Sequence, residues 1–214
     1  MALETTPSEK ARSEARRRAI LDVARDTFLE RGYAAASMSE IATRLGGSKG
    51  TLYNYYRSKE ELFAAFMTET CQARAAAIFA PLPPIGKLKS VRESLVDLGV
   101  TLMEFLLSEE MISLHRLILA ETGRFPELGR MFYEGGPQRG EVRFKEYFEA
   151  AMDAGLVRRD DAQMVGQRLK DLVMSDIYLR RLWGVLGDFS PRQLRAHVAA
   201  SVDIFLRAFG PEIA

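Results

Sequence analysis

Apolar residues recur every three or four positions along most of this chain. Nowhere do they alternate with polar ones over the roughly four to eight residues that a half-buried strand needs. Ile20, Ala24 and Phe28 stand at i, i+4 and i+8 with Leu21 beside them, so a helix from about Ala11 to Arg31 carries one apolar stripe. Runs of β-branched residues are absent, and the fold class that follows is all-α.

The breaks between helices are as informative as the stripes. Gly32 reads as a C-terminal stop. After it, AAASMSEIATRLGGSKGTLYNYY forms two short helical patterns separated at Gly46-Gly47. Ser37 or Ser39 caps the first, and Glu40 lies three residues after Ser37, the capping-box spacing. Ser48 caps the second. Ser58, followed by Lys59, Glu60 and Glu61, opens a longer helix reaching about Ala80, its acidic first turn matched to the helix dipole. Pro81-Leu82-Pro83-Pro84 then stops the chain. Further helices are expected over about Gly86–Leu107, Glu109–Thr122, Pro126–Glu134, Pro137–Ala154 and Asp160–Leu186, with a last one from Pro191 to Phe209. The expected division is a disordered tail over 1–10, a three-helix helix-turn-helix domain over 11–58, a connecting helix over 59–80 and a larger helical domain over 81–214.

With 214 residues, the chain can bury a sizeable core. No apolar run approaches the roughly 18 residues of a membrane span. The N-terminus has no apolar core and mixes both charges, so it reads as neither secretory signal nor transit peptide, and a cytoplasmic location is expected. The lone cysteine, Cys71, excludes an internal disulfide and a thiolate metal cluster. A net charge of +1 hides an asymmetry: the first 60 residues carry 11 Lys and Arg against 8 Asp and Glu, the remainder 19 against 21. The sum charge therefore says little about a nucleic-acid partner; the location of the positive charge says slightly more, since phosphate contacts need basic groups on one face only.

Two short helices joined by a glycine-bearing turn make a helix-turn-helix, whose second helix enters the major groove. Ile41, Ala42 and Leu45 supply an apolar face for the first, and Leu52 and Tyr56 continue it on the second. Lys49, Gly50, Thr51, Tyr53, Asn54 and Tyr55 are left facing outward: hydrogen-bonding and stacking groups without a carboxylate, as a DNA-facing surface requires. Tyr56 is read as core.

The stretch Ile20–Phe63, with RGYAAASMSEIATRLGGSKGTLYNYYRSKEELF inside it, resembles the DNA-binding domain of the TetR/AcrR family of transcriptional regulators. The turn reads Gly46-Gly47-Ser48 where that family usually has Gly-Val-Ser. RLILAETGRFPELGRMFYEGGPQRG further on is similar to the C-terminal domain of one subgroup. The resemblance implies DNA contacts at Ser39, near the start of the first short helix, and along the recognition helix at Lys49, Gly50, Thr51, Tyr53, Asn54 and Tyr55. Gly50 lets the helix approach the duplex closely. Asn54 suits an adenine edge and Lys49 a guanine. Ser48, Thr51, Tyr53 and Tyr55 suit phosphates, as does Lys59 at the start of the next helix.

The resemblance also implies that the region after the proline stop binds a small molecule and forms a homodimer. Val165, Leu169, Leu172, Val173 and Ile177, and Leu194, Val198, Val202, Phe205 and Phe209, form stripes on the last two long helices that suit a four-helix interface or their own core. Pocket candidates are Phe66, Thr70, Met103, Phe105, His115, Phe148, Met152, Met174 and Tyr178, an apolar set with adaptable methionines and few polar groups. The implied partners are a double-stranded DNA operator, a second copy and an effector that is apolar or amphipathic. No cofactor, metal or membrane partner is expected.

Catalysis is not expected. His115 and His197 stand apart and belong to no metal motif, while Glu109-Glu110 and Asp160-Asp161 read as helix starts rather than paired acids. The resulting function is a ligand-responsive transcriptional regulator, by default a repressor. The alternative is a DNA-binding or protein-interaction module without a small-molecule inducer.

Overall fold

A computed structural model of the chain describes residues 7–79, 85, 90–187 and 189–211, with side chains from residue 11 onward except 71–77. The described residues form α1 (Pro7–Ala35), α2 (Met38–Arg44), α3 (Lys49–Tyr55), α4 (Lys59–Phe79), α5 (Val91–Leu106), α6 (Glu109–Glu121), α7 (Pro126–Gly135), α8 (Pro137–Asp153), α9 (Ala162–Leu182) and α10 (Pro191–Phe209). Among them there is no strand, as the lack of alternation implied. The side chain of Cys71 and the stop at Pro81–Pro84 lie outside the described residues, as does the tail up to residue 6.

Two boundaries differ from the sequence reading. α1 starts at Pro7, whose fixed φ suits a first helical turn, rather than at Ala11. Gly32 does not end the helix. It makes a break, at φ 78° and ψ 162°, after which the helix resumes to Ala35. The backbone there is held by other elements: Lys59 Nζ donates to the carbonyls of Tyr33 (2.7 Å) and Ala36 (3.1 Å), and Ala34 N–H donates to Glu121 Oε1 (3.0 Å). Those contacts give the chain partners for another helical turn, which Gly32 by itself would not.

The chain divides into two units that do not follow its order. One comprises the residues up to Thr70 together with Leu117–Phe132; the other comprises Cys71–Arg116 and Tyr133–Ala214. The chain passes between them inside α4, α6 and α7.

In the first unit the α1 stripe is consumed as expected: Ile20, Leu21, Ala24 and Phe28 are buried. Phe28 meets the edge of Phe63 at 5.1 Å between ring centroids, and Tyr33 meets Phe63 at 5.1 Å and Phe125 at 5.2 Å. Edge-to-face rings of this kind add to burial through their quadrupoles. Phe66 closes the cluster, stacked at 6.4 Å on Phe28.

In the second unit α5, α8, α9 and α10 share one core around Leu95, Leu98, Phe148, Val165, Leu169, Val198 and Val202. Small residues set the approach of the helices. A Cβ on Gly99 would lie 2.6 Å from Val198 Cγ1, and one on Gly166 would lie 2.8 Å from Phe144 Cβ. α9 is broken at Ser175, which adopts φ 40° and ψ −144°. For a residue with a Cβ this is a strained conformation, costing on the order of 1–3 kcal/mol. Next to the break, α10 grips α9: His197 Nε2 lies 3.0 Å from the Val173 carbonyl, and Ser201 Oγ donates to the Leu172 carbonyl at 3.0 Å.

Candidate nucleic-acid interface

The helix-turn-helix is built by its caps. Ser37 Oγ accepts from Glu40 N–H at 3.1 Å and starts α2. α2 ends in a double closure: Gly46 N–H donates to the Thr43 carbonyl (3.0 Å) and Gly47 N–H to the Ala42 carbonyl (3.2 Å). That pair of bonds is the Schellman arrangement, and it needs the left-handed backbone that Gly46 supplies at φ 67°. Ser48 then caps α3, its Oγ accepting from Thr51 N–H at 3.1 Å and lying 2.9 Å from Thr51 Oγ1. The turn is thus fully specified over three residues. Arg44 ties it to α1, pairing with Glu30 at 2.7 Å and Glu40 at 3.1 Å.

α3 buries only Leu52, while Tyr56 is buried just after its end. Ser39, Ser48, Lys49, Gly50, Tyr53 and Asn54 are exposed, and Thr51 and Tyr55 are half-buried. Lys49 Nζ sits 5.8 Å from the centroid of the Tyr53 ring, one helical turn on, so an ammonium and an aromatic face are offered side by side. No carboxylate belongs to α3 or its caps.

Lys59 stands differently from the others named in the sequence. Its ammonium bonds the carbonyls at the end of α1 and lies 4.3 Å from the Tyr33 ring centroid. Tyr33 in turn donates to Glu60 Oε1 at 3.1 Å; burial, reinforced by that carboxylate, raises the phenol's pKa well above its usual value. Glu60 is held below the ordinary carboxylate range, chiefly by its own backbone N–H and the Ser58 hydroxyl. A further partner escaped the sequence reading: Arg17 lies over the Tyr56 ring, 5.6 Å from its centroid. The only advance signal was that Arg17 precedes Leu21 by one helical turn on the buried stripe.

The pocket candidates divide between the units. Phe66 is buried and Thr70 half-buried in the first. In the second, Met103, Phe148 and Met152 are core, and Phe105 and Met174 are half-buried against it. His115 and Tyr178 are brought together: Tyr178 OH and His115 Nδ1 lie 2.8 Å apart, with the rings edge to face. Burial pushes His115 down to about 4 and Tyr178 up to about 12, so both are neutral at pH 7. The two long stripes proposed for an interface face the chain's own core, with Val165, Val173, Val198, Val202 and Phe205 fully covered. Apolar groups left outside in this unit include Tyr133, Val142, Leu179, Trp183, Val185 and Ile204. Among the described residues no group of three His, Cys, Asp or Glu is placed to hold a metal, and no helix is long and apolar enough to cross a membrane.

Comparison with known proteins fits this geometry. Residues 20–66 match the bacterial regulatory proteins of the tetR family, and residues 93–211 match the C-terminal domain of AefR-like transcriptional repressors. The HTH-type transcriptional regulator UidR of Escherichia coli is 28% identical over 181 residues, 82% of each chain. A crystal structure of a TetR-family regulator from Mesorhizobium loti is 30% identical, covers 93% of this chain and 98% of its own, and superposes with a TM-score of 0.83. The flavonoid-responsive regulator FrrA is also 30% identical, with coverage of 94% and 100% and a TM-score of 0.77. The capped helix-turn-helix and the helical second unit are those of this group, and the chain belongs to the TetR family of transcriptional regulators.

Proposed function

We propose that the chain is a ligand-responsive repressor that binds its operator as a homodimer and releases it when a small apolar or amphipathic molecule occupies the second unit. The observation that carries the DNA reading is the outward face of α3. Lys49, Gly50, Thr51, Tyr53 and Asn54 are presented on a helix whose only buried residue is Leu52, with Ser48 capping its N-terminus. Ser39 and Ser48 are exposed ahead of it, and the half-buried Tyr55 is assigned to a phosphate. Lys59 supports the same surface from behind by closing the end of α1.

The effector reading rests on chemistry of the second unit. His115 and Tyr178 form a neutral hydrogen-bonding pair among apolar helices, with Met103, Met152 and Met174 as adaptable neighbours in that unit. The relation to a regulator described as flavonoid-responsive supports an effector of aromatic or amphipathic character. The effector acts by binding better to a form whose two recognition helices are spaced wrongly for successive major grooves. α4 is the element through which the shift passes, since it begins at Lys59 and continues without interruption to Phe79. The reaction class is regulation by binding; no catalytic step is assigned.

The test is to select duplexes from a random-sequence library with the wild-type protein and to measure affinity with and without a panel of flavonoids and fatty acids. Tyr53→Ala is expected to weaken binding to the selected duplex about tenfold or more, in line with loss of 1–3 kcal/mol at one contact, while the oligomeric state is unchanged. Selection with no member of the panel releasing the DNA would leave the module-without-inducer reading in its place.

A further inference from the structure

We propose that the first turns of α1 form a second, sequence-independent DNA contact, in which Arg12 and Arg16 neutralise backbone phosphates beside the groove entered by α3. This rests on the reading of α3 as the recognition helix.

α1 begins at Pro7, and among its described side chains, from Ala11 onward, the first fully buried is Ile20. At about 1.5 Å per residue, the described stretch from Ala11 leaves roughly 14 Å of helix ahead of the core. Residues 11–15, 17 and 18 are exposed. A helical segment this polar buries little apolar surface, so packing alone does not account for it. Its composition is nonetheless basic: Lys10, Arg12, Arg16, Arg17 and Arg18 stand against Glu9 and Glu14 over residues 7–19. Glu14 precedes Arg18 by four residues and so shares that row, while Arg12 and Arg16 form another i, i+4 row in which Glu9 precedes Arg12 by three. Among the described residues no carboxylate pairs with Arg12, Arg16 or Arg17.

Two contacts locate this basic segment against the recognition helix. Arg16 Nη2 lies 2.8 Å from where a Cβ on Gly47 would stand, immediately ahead of the Ser48 cap and Lys49. Arg17 lies over the ring of Tyr56, the residue that closes α3. The two guanidinium groups therefore bracket α3 end to end. Gly47 is what makes room for the first; a larger residue in the turn would displace it. The phosphates that flank a groove occupied by α3 are the groups such an arrangement meets, and guanidinium is suited to them by charge and by its planar donor set.

Affinity is measured from 50 to 300 mM KCl for wild type, Arg12→Ala/Arg16→Ala and Arg12→Lys/Arg16→Lys, on the duplex selected by wild type and on a scrambled duplex. Each phosphate contact contributes about 0.9 to the slope of log affinity against log salt. The alanine variant is expected to lower that slope by about 2 to 4 for two arginines in each of two protomers, equally on both duplexes. The lysine variant is expected to keep the wild-type slope. Arg12→Ala alone, at an exposed position, is expected to give about half the change and guards against a folding defect in the double variant. An unchanged slope in the alanine variants, or a loss confined to the selected duplex, overturns the proposal. If wild type selects no duplex at all, the reading of α3 itself fails, and this proposal falls with it.

Discussion

Lys59 and His115 show how far a residue's chemistry is set by what surrounds it. A lysine at a helix start, next to a recognition helix, has the features of a phosphate contact, yet here its three donors are turned to the carbonyls of Tyr33, Ala34 and Ala36. Charged hydrogen bonds of this kind are worth about 1.5–3 kcal/mol. Lys59→Met is therefore expected to lower the stability of the protein by about 2 kcal/mol in urea unfolding. Unchanged stability with lost DNA affinity would return the residue to the interface. His115 carries a pH signature. Its folded pKa of about 4 lies below the ordinary 6.5, so the unfolded chain binds the proton first. Stability is expected to be constant above about pH 6.5, to fall as the pH drops toward 4 and to level off below it. With allowance for partial exposure the loss is about 2 kcal/mol. His115→Gln should flatten the profile in that window.

At the scale of elements, the sequence was a good guide wherever a local rule decides the outcome. The Ser48 cap and the Gly46-Gly47 turn follow from side chains within three residues of the backbone they serve, and both are found; of the two serines open to the first short helix, Ser37 is the cap. The stripe on α1 is likewise legible in Ile20, Ala24 and Phe28. What could not be read were features imposed from elsewhere in the chain. The break at Gly32 was mistaken for an end because the groups that extend the helix, Lys59 and Glu121, are far away in sequence. The break at Ser175 has no local signal: neither glycine nor proline stands there, and the contacts beside it come from His197 and Ser201. The outward face of α3 was legible, since burial of Leu52 alone leaves its neighbours outside. The surroundings of that face, Arg16 and Arg17, were not, because they depend on how α1 packs. Ser175→Gly is expected to raise stability by about 1 kcal/mol, measured by thermal unfolding, because glycine adopts the observed φ and ψ without strain. A fall instead would mean that the serine side chain is doing more than tolerating the bend.

For the molecule as a whole, the division into two units cuts across the order of the chain. A linear partition at residue 58 or 80 could not anticipate that Leu117–Phe132 joins the N-terminal helices, since the reason is Tyr33 meeting Phe125 and Ala34 meeting Glu121. Homodimerisation belongs to this scale as well. With most of the long stripes covered by the chain's own core, the exposed apolar groups Leu179, Trp183, Val185 and Ile204 are the surface on which the proposed homodimer is tested, Trp183 being 68% exposed. Burying a residue of that size contributes roughly 2–3 kcal/mol. Leu179→Glu/Trp183→Glu is accordingly expected to raise the dimer dissociation constant by a hundredfold or more in sedimentation equilibrium, and to abolish operator binding, which needs two recognition helices. Retention of the wild-type dimer would place the interface elsewhere.

The bend in α9 bears on how force travels through such a protein. A straight helix delivers a push at one end to the other, as a rod does. α9 is jointed at Ser175, and its carbonyls just before the joint are fastened to α10 by His197 and Ser201. Tyr178 and its partner His115 lie beyond the joint, while the cap at Asp161 lies before it. If the proposed effector engages Tyr178, the expected consequence is that its displacement is taken up at the joint before it reaches the start of α9.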